Sequence, residues 1–262
     1  MQVVAELRER FAEVRERVAD AAVRSGRRPE EVLLVAVSKY ADPEQVRGLI
    51  DLGHRDFGEN KIQQMEQRAA MVGEYLDRLR VLPETRKGDG STPPDAVRWH
   101  MIGHLQRNKA KKCCELARLI HTVDSLRLAE ELQGLAVKRD ADIEVLVQVN
   151  IAEEEQKHGV PSPAARALCE QIDSMAHVHV RGLMCMAPYS DEPEHSRPVF
   201  ARCRELFEDL RRVGVGEGRM NILSMGMSGD YAVAIEEGSN CVRVGSSIFG
   251  ERPKDFDDSA DG

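Results

Sequence analysis

The sequence predicts an α/β protein that folds as a (β/α)8 barrel of the TIM type with an extra N-terminal helix. Apolar, strand-like runs alternate with helical patterns eight times along the chain, and such alternation requires a mainly parallel sheet. The length of 262 residues suits a single barrel of about 250 residues. The first strand-to-helix turn, SKYADP at 38–43, lacks the glycine-rich fingerprint of an open, dinucleotide-binding sheet.

The individual elements follow from apolar periodicity. The extra helix is predicted at about 3–24, where one apolar stripe at helical spacing consists of Val3, Val4, Leu7, Phe11, Val14 and Val18. Gly26 is a suitable stop for this helix. Strands are predicted at 32–37, 54–57, 97–102, 119–123, 143–149, 178–184, 220–224 and 241–244. Helices are predicted at about 43–52, 59–80, 105–117, 125–139, 162–175, 196–213 and 229–237.

The pattern predicts one domain over residues 1–252. Within it, the segment at 83–96 (PETRKGDGSTPPDA) has turn and disorder composition and no periodicity. We expect it to be an insertion on the bottom face of the barrel, away from the strand ends where barrel enzymes build their sites. Residues 253–262 are predicted to form an acidic, flexible tail.

Composition excludes several classes of protein. The chain has 37 basic and 45 acidic residues and a net charge of −8, which disfavours general nucleic-acid or anionic-membrane binding. We interpret the basic run RNKAKK at 107–112 as a solvated helix face. No apolar run approaches the roughly 18 residues of a membrane span, and the N-terminus lacks a signal-peptide core. The six cysteines include no Cys-x-x-Cys pair, so we expect a cytoplasmic protein with reduced thiols.

The end of the first predicted strand carries the most informative residue, Lys39. It follows an almost wholly apolar run, which is typical of a strand buried on both faces. An amine held beside a dry core loses hydration and can act as a nucleophile toward an aldehyde. The alternative is a lysine that simply extends past the strand end into solvent.

The ends of the seventh and eighth strands are rich in small and hydroxylated residues. Phosphate sites in these barrels are frequently built from the loops at this position. The residues concerned are Ser224, Gly226, Gly245, Ser246 and Ser247. The first and eighth strands are neighbours in a closed barrel, so a small phosphorylated aldehyde would contact both ends. Pyridoxal 5′-phosphate is the leading candidate, because its aldehyde condenses with lysine while its phosphate is anchored separately.

A metal site is not predicted. His100 and His104 are four residues apart and could suggest two ligands on one helix face. Gly103 between them argues against a continuous helix, no third ligand stands nearby, and the glutamate of the usual motif is absent.

Several longer motifs resemble the pyridoxal phosphate homeostasis protein family, a single-domain relative of the alanine racemase barrel. They occur in the family's order and spacing over residues 1 to about 252. The matching stretches are VAVSK at 35–39, FGEN at 57–60, WHMIG at 99–103, LQRNK at 105–109, LSMGMS at 223–228 with Asp230, VRVGS at 242–246 and IFG at 248–250.

The resemblance implies roles for individual residues. Lys39 would hold pyridoxal phosphate as an internal aldimine, a Schiff base. The phosphate would be bound by Ser224, Gly245 and Ser246. Arg243 would face the pyridine nitrogen, and Asn60 would lie near the ring. His100 and Met225 would line the pocket.

The resemblance also favours a carrier or buffer for intracellular pyridoxal phosphate homeostasis over an enzyme. An arginine facing the pyridine nitrogen keeps it unprotonated and weakens the ring as an electron sink. Alanine racemases also need a tyrosine base from an additional C-terminal domain, whereas this sequence continues for only 18 residues after the eighth strand. We therefore expect a non-catalytic monomer whose partners are pyridoxal phosphate and apo forms of the enzymes that use it.

Two alternatives remain open. One is an amino-acid racemase of the alanine racemase type that depends on pyridoxal phosphate. The other is a lysine Schiff-base aldolase, for which the sequence indicates no acid–base partner.

Overall fold

A computed structural model of the protein describes residues 2–81, 96–154 and 158–251. Eight parallel strands form a closed barrel in which each strand pairs with its neighbours along the chain and β8 pairs with β1. The strands are β1 Leu33–Val37, β2 Asp56–Glu59, β3 Arg98–Met101, β4 Ala117–Val123, β5 Ile143–Asn150, β6 Val178–Met184, β7 Ile222–Ser224 and β8 Cys241–Val244. A two-residue strand, Val160–Pro161, adds to the end of β5. The predicted barrel is confirmed.

One helix precedes the barrel and one follows each strand. They are α1 Gln2–Arg24, α2 Pro43–Asp51, α3 Ile62–Val81, α4 Ala110–Leu116, α5 Leu126–Arg139, α6 Ser162–Asp173, α7 Arg197–Arg212, α8 Tyr231–Glu236 and α9 Ser246–Phe249. The extra N-terminal helix α1 packs against α2, α8 and α9. Its predicted stripe from Leu7 to Val18 is buried, and Gly26 beyond its end has a positive φ of 74°. The side chains of Val3 and Val4 lie outside the described residues.

Several elements begin two or three residues from their predicted bounds, and three differences are explained by the structure. Strand β2 begins two residues later than predicted, because its charged ends Asp56 and Glu59 are buried in ion pairs with arginines from other elements. Helix α4 begins at residue 110 and not at 105, since residues 107–109 form a 3₁₀ turn. The short α9 is not predicted at all, because four residues are too few for a helical period to be recognised.

Three further expectations concern the insertion and tail, the cysteines and membrane-spanning helices. Of the predicted insertion at 83–96 only residue 96 is described, and the predicted tail at 253–262 lies outside the described residues. All six cysteines are free thiols. No helix in the described ranges is both long enough and apolar enough to cross a membrane.

Candidate functional site at the carboxyl ends of the strands

Lys39 lies just beyond β1, half-buried, beside a buried carboxyl group. Its Nζ is 4.7 Å from the centre of the Tyr40 ring. The preceding residue, Ser38, is fully buried, and its Oγ donates a 2.6 Å hydrogen bond to Glu59 Oε1. Arg68 Nε lies 2.7 Å from the same oxygen. The ends of β1 and β2 are therefore joined by polar contacts at Ser38, the residue before Lys39.

Glu59 is the titratable group of this corner. Burial raises the pKa of Glu59 to about 7, although the charge of Arg68, the hydrogen bond from Ser38 and the charge of Lys39 act in the opposite direction. Its second oxygen, Oε2, is buried without a hydrogen-bond partner. A carboxyl group with this pKa can give and accept protons near neutral pH, within electrostatic range of the Lys39 amine.

The loop after β2 is held tightly against the loop after β3. A Cβ atom at Gly103 would lie 2.1 Å from the carbonyl oxygen of Asn60, so only glycine fits there. Asn60 Oδ1 is buried and has no hydrogen-bond partner. Because an unpaired buried amide oxygen is unfavourable, Asn60 has hydrogen-bonding capacity available for a ligand.

Arg243, on β8, places a buried positive charge inside the barrel. Its Nη1 donates a 2.6 Å hydrogen bond to Ser224 Oγ, and its Nη2 donates a 3.0 Å bond to the Cys185 carbonyl oxygen. Burial lowers the pKa of Arg243, but a guanidinium remains charged in proteins. Within the described residues no carboxylate forms an ion pair with it. Arg243 is therefore a charged donor held by two neutral acceptors.

A chain of hydrogen bonds leads from Ser224 across the barrel interior. Ser224 Oγ lies 3.0 Å from His121 Nδ1, and His121 Nε2 lies 3.0 Å from His100 Nδ1. His100 Nε2 lies 3.1 Å from Asp56 Oδ1, and both Asp56 oxygens accept hydrogen bonds from Arg98, at 2.8 and 2.5 Å.

The surroundings of these hydrogen-bonded side chains determine which of them are charged. Burial, together with the charges of His100 and Arg243, holds the pKa of His121 well below its usual range. Burial alone would raise the pKa of Asp56, but the hydrogen bonds from Arg98 and His100 outweigh it and keep that pKa below its ordinary value. One arrangement of protons satisfies every link. Ser224 donates to His121, His121 donates to His100, and His100 donates to an ionised Asp56.

The loops after β7 and β8 bring two backbone amides to one oxygen atom. Gly245 N lies 3.1 Å from Ser228 Oγ, and Ser247 N lies 3.4 Å from it. A Cβ atom at Gly245 would lie 3.3 Å from Val37, so this loop closely approaches the end of β1. Amides that converge on an oxygen form the type of concave surface that binds anions. Ser246 is exposed at the start of α9.

The structure places the predicted site residues at two levels. Lys39, Gly245 and Ser246 lie at the rim, after the adjacent strands β1 and β8. The buried level consists of His100, Ser224, Met225 and Arg243. The roles predicted for these residues and for Asn60 toward a cofactor stay predictions.

Four polar residues of the site were not singled out from the sequence: Asp56, Glu59, His121 and Ser228. The first three lie on strands, and their partners come from other strands, from α3 or from the loop after β1, so local spacing does not connect them. Ser228 lies within the stretch LSMGMS that carries the family resemblance. Its position four residues after Ser224 was the signal that could have identified it.

Comparison with known proteins gives the family. The family model described as the N-terminal domain of alanine racemase matches residues 12–253. The pyridoxal phosphate homeostasis protein of Aquifex aeolicus (strain VF5) is 37% identical over 248 residues, which cover 93% of this chain and 97% of that protein. The protein of the same name from Escherichia coli (strain K12) is 34% identical over 242 residues, covering 92% and 95%.

A solved structure agrees with these sequence relatives. PipY of Synechococcus elongatus PCC7942, with pyridoxal phosphate bound, is 30% identical with a TM-score of 0.71 and covers 93% of this chain and 100% of its own. The resemblance inferred from the motifs is confirmed: the chain belongs to the pyridoxal phosphate homeostasis protein family, within the larger family defined by the N-terminal domain of alanine racemase.

Proposed function

We propose that this protein binds pyridoxal 5′-phosphate through Lys39 and serves intracellular pyridoxal phosphate homeostasis by holding the cofactor and passing it on. One observation carries the proposal. The Lys39 amine and the converging amides of Gly245 and Ser247 follow adjacent strands, so one small molecule can contact both. Pyridoxal phosphate supplies an aldehyde that condenses with amines and a phosphate that can be bound separately. The names of the relatives and the cofactor bound to PipY support this choice.

Glu59 gives the lysine a suitable proton acceptor. An ammonium group must lose a proton before its nitrogen can attack an aldehyde. Glu59, with a pKa of about 7, can take up such a proton near neutral pH. Ser38 and Arg68 hold its Oε1, which leaves Oε2 available for proton exchange.

Arg243 supports binding without turnover. A guanidinium has only donors, so a ring nitrogen that faces it must accept a hydrogen bond and stay unprotonated. An unprotonated pyridine ring withdraws electrons poorly. The contacts of Arg243 to Ser224 and to the Cys185 carbonyl fix the direction of its remaining N–H groups. We assign to Asn60 the position beside the ring, and to His100 and Met225 the support of the pocket floor.

For the phosphate we propose Gly245, Ser246 and the Ser247 amide, with Ser228 in place of Ser224. The Ser224 hydroxyl is fully buried, accepts from Arg243 and lies within hydrogen-bond distance of His121. Ser228 Oγ, by contrast, lies at the rim where the two amides converge. A phosphate oxygen there would replace Ser228 Oγ as the acceptor of the two amides, in charge-assisted hydrogen bonds, and the Ser228 hydroxyl would donate a further one.

The covalent linkage is tested by absorbance and reduction. Protein loaded with pyridoxal phosphate should be yellow, and borohydride should fix the pyridoxyl group on the peptide that contains Lys39. The variant Lys39→Ala should lose the yellow absorbance, whereas Lys109→Ala, a lysine after β3, should keep it. A pyridoxyl group found on Lys61 or Lys109 would contradict the assignment.

The proposal that the protein is a carrier is tested against racemisation. The loaded protein is incubated with L-alanine in deuterated water, and D-isomer and α-deuterium are both measured. Turnover on the order of 1 s⁻¹ or faster, an ordinary enzyme rate, would overturn the carrier role and restore the racemase. Transfer of the cofactor to an apo-enzyme faster than its free release would support the carrier role directly.

A further inference from the structure

We propose that the rim of the barrel carries a binding site for one divalent transition-metal ion with the coordination chemistry of zinc, formed by His104, Asp124 and His158. The three residues come from different loops: His104 follows β3, Asp124 follows β4 directly, and His158 precedes the short strand that pairs with β5. One ligand atom of each lies within 4.8 Å of those of the other two. Two imidazoles and a carboxylate are a common donor set for zinc.

The distances within this cluster suit a shared ion better than a direct contact. His104 Nδ1 and Asp124 Oδ2 are 3.7 Å apart, which is too long for a hydrogen bond. Two ligand atoms at 2.0–2.1 Å from a tetrahedral zinc ion are about 3.4 Å apart. A small movement would therefore bring both atoms to coordination distance.

A second group of the same composition shows the contrast. His177 and His179 both contact Asp142, with nitrogen–oxygen distances of 3.0 and 3.4 Å. There the aspartate satisfies both imidazoles by itself. At the rim the carboxylate of Asp124 is too far from His104 for a hydrogen bond. The rings of His104 and His158 are stacked instead, with centres 4.1 Å apart and planes inclined by 12°.

The backbone on both sides of the site is anchored to the barrel. Thr122 Oγ1, on β4, donates a 2.7 Å hydrogen bond to the carbonyl oxygen of Gly103, next to His104. Gln148 Nε2, on β5, donates a 3.1 Å bond to the carbonyl oxygen of His158. Such bonds hold the ligand backbone in place, which is what a preorganised metal site requires.

The side chains have room to adjust. Stacked rings do not aim their nitrogens at one point, so coordination requires one ring to turn. The His104 side chain is 41% exposed and can turn without displacing buried groups. The same exposure leaves a fourth position for water, as in zinc sites with three protein ligands.

The sequence suggested a different pair of histidines. His100 and His104 are four residues apart, yet the fold directs His100 into the buried chain with His121 and Asp56. His104 instead lies beside Asp124 and His158, which are 20 and 54 positions further along the chain.

Zinc chloride titrated into the full-length protein at pH 7.5 tests the site, by calorimetry and by metal analysis after dialysis. We expect one zinc ion per chain. His104→Gln, Asp124→Asn and His158→Gln should each weaken binding at least about tenfold, since loss of even a supporting residue at a metal site has this effect. Binding should also weaken at acid pH, because protons compete with the metal ion for its ligands, and magnesium should bind far more weakly.

His177→Gln is the matched control and should bind zinc like the unmodified protein. A protein that binds no stoichiometric zinc would overturn the proposal. So would variants at the three ligands that bind as tightly as the unmodified chain. Equal loss in His177→Gln, or loss in Cys114→Ser, would place the ion elsewhere and also refute the site.

Discussion

Replacing Glu59 with glutamine should make the protein's stability less dependent on pH. In the folded protein, burial raises the pKa of Glu59 to about 7 from an ordinary value of 4.5. Between these two pH values the folded state therefore holds a proton that the unfolded state has already lost. By linkage, the free energy of unfolding must fall as the pH rises through this range.

The magnitude follows from the same two values. The difference between 4.5 and about 7, at 1.36 kcal/mol for each tenfold change in proton affinity, corresponds to about 3 kcal/mol. Because Glu59 is fully buried, solvent screening does not reduce this figure appreciably. The stabilising contribution is complete below pH 4.5 and is lost as the pH rises through about 7. Glu59→Gln keeps the shape and much of the hydrogen bonding but cannot ionise, so it should lack this loss.

The assay is urea unfolding of both proteins without cofactor at pH 5, 6, 7 and 8. Relative to the unmodified protein, Glu59→Gln should gain about 2.5 kcal/mol between pH 5 and pH 8, because part of the linkage lies below this range. Glu205→Gln, an exposed position on α7, is the control and should give no such gain. Parallel curves for Glu59→Gln and the unmodified protein would mean that Glu59 titrates normally, which would refute its role as a proton acceptor beside Lys39.

Three further predictions concern the rim and the core. Ser228→Ala should weaken pyridoxal phosphate binding about ten- to a hundredfold, the equivalent of roughly 1.5–3 kcal/mol for a hydrogen bond to a charged group; unchanged affinity in equilibrium dialysis would place the phosphate elsewhere. Gly103→Ala should lower the melting temperature, because its Cβ would lie 2.1 Å from the Asn60 oxygen. Gly73→Ala, on α3 with open space around it, should raise the melting temperature slightly, and equal effects would contradict the packing argument. His121→Leu removes one hydrogen bond each from the buried Ser224 and His100 and should cost about 2–4 kcal/mol in urea unfolding; a neutral effect would show that these buried hydrogen bonds do not stabilise the barrel.

Much of the fold was predictable because the barrel repeats one pattern. Seven of the eight strands overlap their predicted spans closely, since their apolar runs are buried on both faces. The bounds predicted for β2 were two residues too early, because Asp56 and Glu59 are ionisable residues in a buried strand. The sequence does not show that arginines from β3 and α3 pair with them. Local periodicity reports burial but not distant partners.

The features of the candidate site that were predictable from the sequence are those that depend on one strand end alone. Lys39 and the glycine–serine turn after β8 were identifiable because their chemistry is local to each strand end. Ser224 and Ser228 belong to one sequence motif, but Ser224 ends a strand, whose side chains alternate between two faces, and Ser228 lies in the loop that follows. Ser224 points inward to Arg243 and His121, whereas Ser228, in the loop, stays at the rim. The sequence shows that Ser228 lies beyond the strand end, and the three-dimensional arrangement adds the partners of each serine.

The buried hydrogen bonds from Ser224 to Asp56 explain why the positive charge of Arg243 persists where the cofactor is proposed to bind. In the part of the chain that the structure describes, the nearest carboxylate along the hydrogen bonds from Arg243 is Asp56, which is three links beyond Ser224 and is already paired with Arg98. The histidines between them cannot relay a charge, because the low pKa of His121 keeps its imidazole neutral. Among the described carboxylates, Asp230 also acts on the charge of Arg243 but forms no ion pair with it. A ligand with an anionic group and an unprotonated ring nitrogen would therefore best offset the cost of burying this charge.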